Sequence, residues 1–157
     1  MFYKLKEIYR YIRVKRLIKA LFARCKKYDN YSAMIYYQAG KIEKYYRLLD
    51  IIKSIFNDSN HGIVNYEDFK CNENCDVRVR KAIKEISCTF KNGSRILIKT
   101  ALECNARGYR FHYCLIDKDI PQIKQDYIET HVIRKFNDEN KQIKKRDFGV
   151  AKYIRII

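Results

Sequence analysis

The chain has 157 residues, 47% of them hydrophobic, with 34 Lys and Arg against 18 Asp and Glu and a formal net charge of +16. The apolar share is enough for a packed core, and charge recurs too often for the roughly 20 apolar residues of a membrane-spanning helix. A cationic surplus of this size points to a polyanionic partner, DNA or RNA first, with an anionic membrane face or acidic protein neighbours in a larger assembly as the other classes.

The surplus is uneven. Residues 1–27 carry +9, residues 28–57 carry +1, residues 58–76 carry −4, residues 77–118 carry +7 and residues 119–157 carry +3. Two basic zones therefore flank an acidic stretch. Five Gly and one Pro stand beside fourteen Tyr, and Ile, Lys and Asn are abundant. That is the codon signature of an AT-rich genome, as in many phages, viruses, endosymbionts and low-GC bacteria. The opening residues mix charge with apolar side chains and show no secretory h-region. A cytoplasmic or virion protein with reduced cysteines is therefore expected, and not a secreted one.

In chain order, residues 2–27 predict a helix. Tyr11, Val14, Ile18, Leu21 and Cys25 recur at helical spacing, and Arg10, Arg13, Lys15, Arg16, Lys19, Arg24, Lys26 and Lys27 cover most of the rest. Residues 31–56 predict a second helix, with Ile35, Ala39, Ile42, Tyr46, Leu49 and Phe56 on its stripe and Ile52 beside it. Two successive amphipathic helices imply an antiparallel hairpin over 1–57. Residues 57–62 read as a loop and 63–69 as a short strand. Asp76 is placed to cap a helix over 77–89, and 91–93 form a turn. Ser94 is placed to cap a helix to about 106, with Gly108 as its exit. A strand over 109–116, a helix from Pro121 to about 136 and a strand over 148–157 follow. The expected fold class is α+β: the basic hairpin over 1–57 packed on a small α+β unit over 58–157 with a short sheet, as two units or as one continuous domain.

The expected nucleic-acid contacts are the helix cations together with Arg78, Arg80, Lys81 and Lys84. Lys and Arg neutralise phosphates, and tyrosines set among them (Tyr3, Tyr9, Tyr11, Tyr28 and Tyr31) offer stacking surfaces for unpaired bases. Cys71 and Cys75 are spaced like one half of a zinc site, with His112 and Cys114 as the other half and Cys88 and Cys104 as further thiols. The second pair lies on a predicted strand, and the rival reading is buried thiols. No metal or other cofactor is expected on this count. Phosphate-binding loops, zinc-protease helices and nucleophile elbows are absent. A non-enzymatic binder is therefore the leading reading, and a structural protein of a large assembly is a second one.

From Arg78 to Asn137 the order RVRKAIKEI, KNG, ILIKTALECNARG, YRFHYCLID, DYIETHVIRKF resembles the latter part of GIY-YIG endonucleases. GIVNY at 62–66 echoes the first name-giving tripeptide, and FKC at 69–71 stands where the second would be. The resemblance implies Mg²⁺-dependent strand cleavage, with Glu129 at the metal-ligand position and Arg78 or Arg80 as the active-site arginine.

Overall fold

A computed structural model describes residues 1–56, 69–72, 75–101, 110–134 and 142–157. The fold is α+β, as its sequence suggests. Helix α1 (Phe2–Lys27) leads to strand β1 (Ser32–Tyr37) and helix α2 (Ile42–Phe56). Strands β2 (Phe69–Asn72), β3 (Cys75–Arg80), β4 (Glu85–Phe90), β5 (Arg95–Thr100) and β6 (Tyr113–Asp117) follow, then helix α3 (Gln122–His131) and strand β7 (Gly149–Ile154). The strands form one mixed sheet in the order β2-β3-β4-β5-β1-β6-β7. Strands β5, β1, β6 and β7 are mutually parallel, and β2 to β5 form an antiparallel meander.

Strand β1 sits near the middle of the sheet, and every one of its six residues is buried. Its side chains alternate between two cores. Ala33, Ile35 and Tyr37 join Val14, Ile18 and Leu21 of α1 and Tyr45, Leu48 and Ile52 of α2 on one face. Met34 and Tyr36 join Cys114 and Ile116 of β6 and Ile128 of α3 on the other. A strand covered on both faces reads as a continuous apolar run, not as an alternation. Helices α1 and α2 thus cover one face of the sheet, and α3 covers part of the opposite face around β1 and β6.

Three expected elements are corrected. The helix over 31–56 is a strand followed by a shorter helix, so α1 and α2 share a face but are not a directly connected hairpin. The helix over 77–89 is the β3–β4 hairpin. There Cys75 and Val77 point inward while Asp76, Arg78 and Arg80 point outward, and Lys84 takes a positive φ of 53° in the turn. The helix from Ser94 is β5: Ser94 is buried, donates to the Tyr28 carbonyl at 2.6 Å and accepts the Tyr31 N–H at 3.0 Å. The expected loop at 57–62 and the bulk of the strand over 63–69 lie outside the described residues, as do Gly108 and Phe136. Both sides of the expected boundary at 57/58 supply strands to the one sheet. Among the described residues, no helix is long and apolar enough to cross a membrane.

Candidate nucleic-acid interface

Strands β1 and β6 run parallel, but α2 leaves β1 toward one face of the sheet and α3 leaves β6 toward the other. Chain divergence of this kind opens a crevice at the carboxyl ends of parallel strands. Here the crevice floor is a buried ion cluster. Lys44, in the first turn of α2, donates at 2.7 Å to Asp117 at the end of β6 and at 2.7 Å to Asp119. The Gln38 N–H, just past β1, donates to Asp117 at 2.9 Å. Asp117 is 1% exposed, and these donors take the place of water around its carboxylate. The Lys44 hydrogen bond holds the Asp119 carboxyl below its ordinary value.

Beside this floor lies a cleft of about 440 Å³. Phe2, Leu5, Lys6, Tyr9, Arg10 and Arg13 of α1 form one wall, and Lys118 and Arg155, beyond β6 and β7, form the other. Its lining holds five cations and no carboxylate. Full burial on α1 begins only at Val14, and Phe2, Tyr9 and Ile12, off the stripe, stay exposed by 79%, 67% and 50%. Glu7 is the only acid in α1. It is engaged by Arg10 at 2.6 Å and by Arg47 of α2 at 3.1 Å. Lys6, Arg13, Lys118 and Arg155 make no ion pair within 4.0 Å among the described residues.

The outward side of α1 continues the charge. Arg13, Arg16, Lys19, Lys26 and Lys27 are all exposed. Residues 13 to 27 cover about 21 Å at ~1.5 Å per residue. Arg13 belongs to both the row and the cleft wall, which joins the two. Lys26 and Lys27 also complement the negative end of the helix dipole.

Other expected contacts have structural partners. Arg24 pairs with buried Asp147 at 3.0 Å and lies over the Tyr113 ring, 4.4 Å from its centroid. Lys15 is half-buried. Tyr28 donates to the Asp147 carboxylate and Tyr31 to its carbonyl, and both rings are buried, which leaves neither open to a base. Tyr11 donates to Asp50 and Ser54 of α2. Tyr3 and Tyr9 remain exposed. Arg78 and Arg80 are exposed on the sheet face opposite α1, and Arg80 approaches Glu85 at 3.8 Å. Lys84 instead lies over the Tyr45 and Tyr46 rings of α2, and Lys81 is near Lys53, also of α2. The second basic zone is therefore divided between the two faces of the sheet and does not extend the α1 row.

Glu129 is half-buried on α3. Strand β3, which carries Arg78 and Arg80, is four strand positions from β6, about 19 Å at ~4.8 Å per strand. Those arginines, expected on the helix over 77–89, stand on a strand.

The zinc candidates do not converge. Cys75 faces the α1 side of the sheet, and Cys114 faces the α3 side. His112 accepts the Ser32 N–H at 3.0 Å through Nδ1 and stacks on Tyr31 at 4.9 Å. Burial, reinforced by the Arg134 cation, pushes it down to about 4. Burial also pushes the Cys25 thiol up to about 12 and holds Cys88 and Cys114 protonated. Cys71 falls on β2, and Cys104 lies outside the described residues. Among the described residues, no group of three or more His, Cys, Asp or Glu is arranged to hold a metal ion.

Sequence reasoning missed Lys6, Lys118 and Arg155, which the fold brings together at the cleft. A signal for the α1 part was present: Phe2, Leu5, Tyr9 and Ile12 fall off the Tyr11–Cys25 stripe, as they do when a helix outruns its core. Comparison with protein families, with curated proteins and with solved structures gave no match.

Proposed function

We propose that the protein is a non-enzymatic nucleic-acid-binding protein that grips the phosphate backbone with the outward face of α1. One observation carries the reading. Five exposed cations follow one another along α1 with no acid beyond Glu7 on that helix, and they run into a cleft whose charged lining residues are all cations. Fixed positive charge in a row releases counterions from a polyanion, and that release drives association. Binding of this kind requires no cofactor and no strong sequence preference. A ribonucleoprotein particle, a phage or a virion is the kind of assembly in which such binding serves.

Fluorescence anisotropy with labelled duplex DNA, single-stranded DNA and RNA at low ionic strength tests the reading. Binding to at least one of them, without strong dependence on sequence, is expected. No association with any would sink it and favour a structural role against acidic protein neighbours. The same samples incubated with Mg²⁺ test the nuclease alternative. Strand cleavage lost in Glu129→Ala would replace binding with a divergent GIY-YIG-type endonuclease that uses Arg78 or Arg80.

A further inference from the structure

Resting on that reading, we infer that the cleft between the first turns of α1 and the ends of β6 and β7 seats a single unpaired nucleotide of the bound strand. The row on α1 presents charge alone, and a duplex backbone satisfies it. The cleft is chemically different. It combines cations from three chain segments (Lys6 and Arg13, Lys118, Arg155) with the exposed rings of Phe2 and Tyr9. A phosphate alone would leave those rings in water, and an apolar ligand alone would leave the cations unneutralised. A phosphorylated planar ring satisfies both: phosphate on the cations, base on the tyrosine or phenylalanine. A base is free to enter only where it is unpaired. Continuity at Arg13 makes the strand on the row, not a free nucleotide, the expected source of that group.

The test uses three labelled probes: a blunt DNA hairpin, the same hairpin with a three-nucleotide single-stranded overhang, and thymidine monophosphate. The overhang hairpin should bind at least about fivefold more tightly than the blunt one, in keeping with stacking of one base. Tyr9→Ala, and separately the pair Lys118→Gln with Arg155→Gln, should abolish that gain while leaving blunt-hairpin binding within about twofold. Retained blunt-hairpin binding also shows that the variants fold. Equal affinity for the two hairpins, or a gain that survives both variants, overturns the inference while leaving backbone binding by the α1 row intact. Thymidine monophosphate binding as tightly as the overhang hairpin overturns it in favour of a free-nucleotide site. Failure of the wild-type protein to bind either hairpin removes the underlying reading as well.

Discussion

Burial keeps His112 neutral, and that neutrality is coupled to stability. Its folded value, pushed down to about 4, lies below the ordinary 6.5, so the unfolded chain binds the proton more readily. Its contribution is therefore fully present above about pH 6.5 and is lost as pH falls toward 4. Complete loss amounts to roughly 3 kcal/mol at ~1.36 kcal/mol per unit. Denaturant midpoints between pH 7 and pH 4 should fall in the wild type and be markedly flatter in His112→Gln. Asp119 acts in a lower window. Its carboxyl is held below its ordinary 3.8 by Lys44, so its share persists above that value and fades below it. The ion cluster on the crevice floor gives a second residue-scale expectation. Lys44→Met leaves Asp117 buried without its cation and should cost about 3–5 kcal/mol. The double variant Lys44→Met, Asp117→Asn should recover part of that loss. Equal loss in the single and double variants would contradict the coupling.

At the scale of elements, the β4–β5 turn carries the end of α1. The Asn92 side chain donates to the Cys25 carbonyl at 2.7 Å and to the Tyr28 carbonyl at 3.1 Å, taking up acceptors that the helix end leaves open. Gly93 has φ 84°, and a Cβ there would lie 2.1 Å from Asn30 Oδ1. Asn92→Ala should cost about 1–2 kcal/mol, and Gly93→Ala at least about 1 kcal/mol, both readable by thermal melting. Near-wild-type melting of Gly93→Ala would mean that the contact with Asn30 contributes little. The turn at 91–93, α1, β6, α3 and β7 were legible because their signals are local: helical spacing over many turns, Asn-Gly in the turn, and Pro121 just before α3. Strand β1 was not. Its Ile35 matches the helical spacing of Ala39 and Ile42 only by running across the strand end and Gly40, whereas SAMIYY is the short apolar and aromatic run of a strand buried on both faces. VRVR and RILIKT alternate with period two. Asp76 and Ser94 imitated helix caps there, but Ser94 spends its hydroxyl on the α1–β1 connection.

Across the whole molecule, the sheet separates two kinds of basic surface. Net charge was readable from composition; its distribution was not, because sequence does not reveal that Arg24 serves Asp147 or that Arg78 and Lys84 point to opposite sides. The cleft was still less legible, since Lys118 and Arg155 reach it only through the parallel pairing of β6 with β7. What the fold leaves on α1 is a row of exposed cations, Arg13, Arg16, Lys19, Lys26 and Lys27, that make no ion pair among the described residues and adjoin the cleft. The most direct test of that row is the salt dependence of binding to a blunt duplex, compared between the wild type and a variant carrying Arg16→Gln, Lys19→Gln and Lys26→Gln. The wild type should show a log–log slope of about −4 to −5, corresponding to five phosphate contacts at ~0.9 each, and the variant's slope should be shallower by about 3. An identical slope and affinity in the variant would contradict the assignment of nucleic-acid binding to α1.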